Sequence, residues 1–160
     1  MKITIDQKML NTAVSRMQGA ISDREMSQIG IKAENSKVTI AASDRIFAIF
    51  SDFECHVEET GTVFVPGKMF SDVVRQLPDG PVQVKVNQES LVLVAGPKKE
   101  FVMKMPLLAD VVWADPPAMN SSNSADLPVN TISYMINQVQ FCIHQESTRN
   151  YGRGGYLHRS

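Results

Sequence analysis

"PGKMFSDVVRQLPDG", residues 66–80, has the pattern of an amphipathic helix with proline at its start and a Pro-Asp-Gly stop. "DQKMLNTAVSRMQG", residues 6–19, has nearly the same pattern earlier in the chain. In both stretches apolar residues stand at i, i+1, i+4, i+5 and i+8, the spacing of one helix face. They are Met9, Leu10, Ala13, Val14 and Met17 in one and Met69, Phe70, Val73, Val74 and Leu77 in the other. The sequence therefore predicts the same helix twice.

The surroundings of the two helices repeat as well. A short alternating strand precedes each helix, at residues 3–5 and 63–65, and three strand-like runs follow each one. These runs are residues 28–33, 37–42 and 45–50 after the first helix, and 82–86, 91–95 and 101–105 after the second. The unit is βαβββ, and its period is too long for a common solenoid. We therefore predict an α+β domain in which two half-domains, about 1–57 and 58–105, pair antiparallel sheets with both helices on one face.

A third copy of the helix pattern follows Pro128, with Thr131, Ile132, Met135, Ile136 and Val139 at the same offsets. Before it, residues 118–127 are rich in Asn, Ser and Pro, a composition typical of a connector. We expect a first domain at 1–117 including a tail, a linker at 118–127, and the truncated start of a second, similar domain at 128–160. Trp113 is expected to pack the tail onto the first domain.

The composition excludes several classes of protein. The 160 residues contain 16 Lys and Arg against 17 Asp and Glu, so bulk charge attracts neither nucleic acid nor a membrane. No run approaches the roughly 18 apolar residues of a membrane span, and the N-terminus lacks the apolar core of a signal peptide. Cys55 and Cys142 stand far apart without a Cys-x-x-Cys pattern. We expect a soluble cytoplasmic protein with reduced cysteines and no membrane contact.

The polar faces of the repeated helices are poor in acid, with Asp72 their only carboxylate. Their basic residues are Lys8, Arg16, Lys68 and Arg75. A locally positive surface suits a polyanion such as DNA. An ordinary solvated helix face would have a similar composition, and charge alone leaves both interpretations open.

Catalytic and metal sites are poorly supported by the sequence. Cys55 and His56 are neighbours on a predicted strand, so their side chains point to opposite faces. His144 stands two residues from Cys142 and from Glu146, with no further ligand recurring nearby. "GRGG" at 152–155 lacks the Lys-Ser/Thr that follows a phosphate-binding glycine loop. We predict no catalytic residue, no metal and no cofactor; a small hydrolase using His144 or Cys55 is the enzymatic alternative.

Three stretches resemble the bacterial sliding clamp, the beta subunit of DNA polymerase III. They are "TVFVPGKMFSDVVRQLPDG" at 62–80, "AASDRIFAI" at 41–49 and "FCIHQESTRNYGRGGYLH" at 141–158, and their order and spacing also match. The resemblance implies a DNA-clamp fold and a non-catalytic processivity factor that encircles duplex DNA and tethers the polymerase. It also implies three similar domains per subunit, with the helices lining a central hole and the sheets forming the rim.

Partners and contact residues follow from the same resemblance. It implies the DNA polymerase III catalytic subunit, the clamp loader and a second subunit, joined head to tail in a ring, as partners. Arg24 matches a basic DNA contact on the loop after the first helix. Gln145, Arg149 and Tyr151 match a DNA-contacting loop of the second domain. With Lys8, Arg16, Lys68 and Arg75 they make up the predicted DNA-binding set.

The chain also departs from the family pattern. Asn150 stands where the family usually has a second tyrosine, and Gly152 stands where it usually has an apolar residue. Most of the second domain and the whole third domain are absent from these 160 residues, so we do not expect the usual ring from this chain alone. The alternative function is a short clamp-like regulator that pairs with a full-length clamp and blocks ring closure.

Overall fold

The computed structural model describes residues 1–21, 27–43, 48–116, 118 and 126–143. The first half of the repeat contains β1 (Lys2–Asp6), α1 (Gln7–Arg16), β2 (Gln28–Glu34), β3 (Lys37–Ser43), β4 (Ala48–Glu54) and β5 (His56–Glu59). The second half contains β6 (Gly61–Pro66), α2 (Gly67–Gln76), β7 (Pro81–Val86), β8 (Ser90–Ala95) and β9 (Phe101–Pro106). The helix α3 (Val129–Val139) follows, with a turn of 3-10 helix at Gln140–Cys142. The predicted α+β class, the duplicated order and the third helix are confirmed.

One short strand was not predicted. β5 has the sequence HVEE, in which a single apolar residue gives no alternation to detect. It forms by backbone pairing with β1, as an edge strand. The border expected near residue 57 therefore falls inside a strand. β4 begins at Ala48 in the described residues and continues to Glu54, beyond the predicted end at residue 50.

The strands form two antiparallel sheets in which the halves exchange their first strands. The five-stranded sheet has the order β5-β1-β7-β8-β9, and the four-stranded sheet has the order β4-β3-β2-β6. β1 pairs with β7 of the second half, with Asp6 opposite Pro81. β6 pairs with β2 of the first half, with Pro66 opposite Gln28. Each sheet is thus completed by the other half, and the two halves share one core.

The helix faces that pack into this core are equivalent. The buried positions are Leu10, Ala13, Val14 and Met17 from α1 and its C-terminal end, and Phe70, Val73, Val74 and Leu77 from α2 and its end. Met9 and Met69, which the spacing placed on the same stripe, are 43% and 45% exposed, so that part of the prediction was wrong. Each lies one residue, about 100° of helix rotation, before the buried stripe.

The start of each helix is tied to the opposite half. The Gln7 amide donates to the Gly80 carbonyl at 2.9 Å, and the Gly67 amide donates to the Ser27 carbonyl at 2.9 Å. Both carbonyls immediately precede the strands that pair with β1 and β6. These bonds satisfy amides that have no partner within the helix. In α1, the Asp6 carboxylate also accepts from the Lys8 amide at 2.9 Å.

The chain divides into two compact units, Met1–Pro116 and Pro117–Ser160. The first contains both sheets, α1 and α2. In the second, α3 has no buried residue, and its apolar side chains Ile132, Met135 and Ile136 are 38%, 39% and 54% exposed.

Replacing Ser36 by glycine is expected to stabilise the first unit. Asn35 and Ser36 form the two-residue turn between β2 and β3, with φ angles of 48° and 61°. Ser adopts this left-handed conformation at a higher cost than Asn, and glycine adopts it readily, so Ser36→Gly should raise the free energy of unfolding by about 0.5–1 kcal/mol. Urea denaturation measures the change. Asn35→Gly is the control and should raise the free energy of unfolding by less. A larger gain from Asn35→Gly would contradict the assignment of Ser36 as the more strained residue of the turn.

Truncating Phe70 is expected to unfold much of the protein. Its side chain is fully buried between α2 and the sheets, and Phe→Ala in such a site costs about 3–5 kcal/mol. The adjacent Met69→Ala change, on the exposed side of the same helix turn, should cost less than about 0.5 kcal/mol. Thermal unfolding followed by circular dichroism compares the two. Equal losses would show that the buried face of α2 is misassigned.

Candidate nucleic-acid interface

The exposed faces of α1 and α2 form one surface, because the helices contact each other and cover a common core. Lys8 and Arg16 are exposed on α1, and Lys68 and Arg75 are exposed on α2. Lys8 and Lys68 occupy equivalent positions of the two copies. The structure therefore brings together the four helix cations that the sequence predicted.

A carboxylate that the sequence analysis missed lies beside this surface. The Lys8 ammonium is 3.8 Å from an Asp79 oxygen, and both side chains are about three-quarters exposed, at 74% and 77%. An ion pair so open to water is weak and easily exchanged for another anion. Asp79 belongs to the turn after α2, far from Lys8 in the chain, so no local pattern indicates the contact. It lowers the positive potential of the surface without blocking Lys8.

Two of the cations also stabilise their own helices. Arg16 and Arg75 lie in the last turns of α1 and α2, where a positive charge interacts favourably with the carbonyl end of the helix dipole. These side chains are exposed, so the guanidinium groups can reach a phosphate from the same position. The structural role and the binding role are therefore compatible.

A groove of about 310 Å³ runs between α1 and the edge strand β4. Its lining residues are Lys8, Met9, Thr12, Ala13 and Arg16 from the helix and Ser51, Asp52 and Phe53 from the strand. The Asp52 carboxylate is 2.7 Å from the Lys37 ammonium. The hydrogen bond from Lys37, with a second from Thr39, holds the pKa of Asp52 below its usual range. Lys8 and Arg16 thus line the groove with positive charge, while the Asp52 carboxylate, paired with Lys37, lies on the other face of β4 together with Phe50.

The remaining members of the predicted DNA-binding set lie outside the described residues. These are Arg24, Gln145, Arg149 and Tyr151. His144 and the glycines at 152–155 lie outside them too. Their placement on a DNA-contacting surface stays a prediction.

The described cysteines and histidine do not form a nucleophilic site. Cys55 is half-buried before β5, and burial raises the pKa of its thiol, which disfavours the reactive thiolate. His56 is exposed on β5, and Cys142 is exposed after α3. Over the described ranges, no group of three or more His, Cys, Asp or Glu side chains could hold a metal ion.

No helix in the part of the chain that the structure describes is long and apolar enough to span a bilayer.

Comparison with known proteins agrees with the fold. A family model described as the DNA polymerase III beta subunit, N-terminal domain, matches residues 1–109. The beta sliding clamp of Caulobacter vibrioides (strain NA1000 / CB15N) is 27% identical over 168 aligned positions, covering 99% of this chain and 44% of that protein. The beta sliding clamp of Bacillus subtilis (strain 168) is 26% identical over 161 positions, covering 93% and 42%.

The solved structure of Caulobacter crescentus pol III beta superposes with a TM-score of 0.77 at 26% identity. The superposition covers 94% of this chain and 42% of that one. This chain thus spans less than half the length of the relatives it matches. The family model covers more than half of the chain and includes both copies of the repeated helix. The chain therefore belongs to the DNA polymerase III beta subunit family, whose N-terminal domain it contains.

Proposed function

We propose that this chain supplies the first part of a DNA sliding clamp, a processivity factor that surrounds duplex DNA and tethers a replicative polymerase. The observation that carries the proposal is the side-by-side placement of α1 and α2, with Lys8 and Lys68 exposed at equivalent positions. The two sheets lie behind the helices and leave this surface open. A repeated surface of this kind suits the repeated phosphates of a duplex.

The contacts are suited to sliding rather than to sequence recognition. Lysine and arginine side chains bind phosphates, which carry no sequence information directly. With four cations, and Asp79 and Asp72 close by, the attraction to DNA is weak and sensitive to salt. Retention on DNA would then depend on enclosure rather than on affinity. This role needs no catalytic residue, metal or cofactor, and it would place the protein in the cytoplasm.

Ring formation requires more than one such domain. β4 and β9 are edge strands, and Val102 and Met103 of β9 are 52% and 38% exposed. Unpaired edges allow a sheet to continue into a neighbouring domain or subunit. Because this chain aligns with less than half of each relative, a ring, its head-to-tail partner, the polymerase III catalytic subunit and the clamp loader are proposed for an assembly with further clamp domains.

The helix surface is tested by removing two lysines from it and, separately, two from the opposite side. Lys8→Gln with Lys68→Gln removes the equivalent pair on α1 and α2. Lys85→Gln with Lys104→Gln is the matched control, because these lysines lie on strands of the five-stranded sheet, on its face away from the core. Fluorescence anisotropy with a labelled duplex at several salt concentrations measures binding.

For the unmodified chain, log K should fall with log salt with a slope of about −3, as for three or four neutralised phosphates. In the variant with Lys8→Gln and Lys68→Gln the slope should become shallower, about −1, since each lost phosphate contact removes roughly 0.9 from its magnitude. The control pair should leave the slope unchanged. Equal effects of the two pairs, a slope near zero, or a clear preference for one DNA sequence would refute the proposed surface.

A further inference from the structure

We propose that Trp113 is a positioning residue: it fastens the end of the first unit to the four-stranded sheet and thereby fixes where the connection to the next unit begins. We call residues 107–116 the tail strap. The inference extends the proposed function, because a ring of successive domains requires each connection to start from a defined point. The evidence for the fastening itself is independent of DNA.

The four-stranded sheet has a trough shaped for a large ring. In one row across the sheet Phe64 stands opposite Gly30, Gly30 opposite Ala41, and Ala41 opposite Phe50. The neighbours Ile29 and Ile31 of Gly30 point into the core, so this row lies on the other face. Two small residues between two phenylalanines form the aromatic trough.

The Trp113 indole lies in the aromatic trough. Its ring centroid is 6.3 Å from that of Phe50, nearly edge-on at 72°, and 6.2 Å from that of Phe64. A Cβ atom on Gly30 would lie 2.9 Å from Trp113 Cζ3 and 2.8 Å from Phe64 Cε1, closer than real side-chain atoms approach. Glycine is therefore required at position 30 by the close approach of both the Phe64 ring and the indole.

Polar groups hold the indole in this orientation. Trp113 Nε1 donates a hydrogen bond to Asp115 Oδ1 at 2.8 Å. The Lys32 ammonium is 3.7 Å from the same oxygen and 3.1 Å from a Glu34 oxygen, and it lies 5.9 Å from the centre of the indole. The ring thus has apolar contacts on the sheet and a charged, hydrogen-bonded edge.

The tail strap is attached at both ends but exposed between them. At its start, the Leu108 amide donates to the Phe64 carbonyl at 2.8 Å, and the Leu107 amide donates to the Glu89 carbonyl at 3.3 Å. Val112, directly before the tryptophan, is 87% exposed. Trp113 is therefore the anchor of the far end. If it were released, the eight residues after Leu108 could add up to about 26–29 Å of reach to the connection.

The first experiment uses Trp113 as its own reporter, since it is the only tryptophan in the chain. Gly30→Ala should shift its fluorescence emission to the red and increase quenching by acrylamide. Gly19→Ala is the matched control, because a Cβ there meets no atom within 4 Å, and it should leave both unchanged. Emission typical of a fully exposed indole in the unmodified protein would overturn the proposal.

The second experiment leaves the aromatic trough unaltered, so it remains decisive if Gly30→Ala fails to fold. Trp113→Ala is compared with Val112→Ala by hydrogen exchange and mass spectrometry. With Trp113→Ala, the hydrogen-bonded amides of Leu107 and Leu108 should exchange at least tenfold faster, while those of β2 and β3 stay protected. Val112→Ala should leave the tail strap unchanged. Equal exchange in the two variants would overturn the proposal.

The positioning role is measured between the two units, because a purely structural tryptophan would not affect their separation. Spin labels are placed on Cys142, which is exposed, and on the cysteine introduced by Glu54→Cys, with Cys55→Ser removing the other thiol. Trp113→Ala should broaden the distance distribution, and Val112→Ala should not. An unchanged distribution would overturn the positioning role. No DNA is present, so failed DNA binding alongside a positive result here would refute only the proposed function.

Discussion

The exchange of the first strands is the constraint on which the rest of the structure depends. β1 must lie beside β7, and β6 beside β2, before either sheet is complete. Each helix follows directly from an exchanged strand, so its course over the core is set by the opposite half. The hydrogen bonds from the Gln7 amide to Gly80 and from the Gly67 amide to Ser27 likewise join the start of each helix to the opposite half. The two helices consequently lie side by side, and their exposed faces form one surface.

The repeat was predictable because its core positions are occupied by apolar residues in both copies. Leu10 and Phe70 differ in size, yet both are buried at the same helix position. The exchange itself could not be predicted. Alternation along a strand indicates which side chains face the core, but it does not identify the neighbouring strand, which depends on packing between distant segments. β5 was not predicted for a related reason, since its backbone pairing with β1 needs no apolar pattern.

In the candidate site, the exposed positions were predictable but the contacts between distant residues were not. Lys8 and Lys68 were placed on exposed helix faces because they precede the buried stripe in each copy. The approach of Asp79 to Lys8 was not predictable, since it joins the end of the second copy to the start of the first. The packing of Trp113 was expected from its apolar bulk. The residues that it contacts could not be predicted, because Gly30 and Ala41 are small residues that do not favour strands and give no sign of a binding position for an aromatic ring.

The distribution of charge allows a chain with a net charge of −1 to carry more cations than carboxylates on the exposed faces of α1 and α2. Many carboxylates are neutralised on the sheets: Glu58 pairs with Lys2, Glu59 with the N-terminal amine, and Asp52 with Lys37. Glu34 and Asp115 share Lys32 beside the tail strap. The helix faces keep more cations than carboxylates.

This local excess is small, and that suits the proposed role. Binding that neutralises many phosphates becomes tight and slow to release, whereas a few exposed lysines and arginines exchange one phosphate for the next at little cost. The duplex would then be guided by the helix surface and retained by the enclosing domains. A fixed connection between those domains matters more for such a protein than a strongly basic surface.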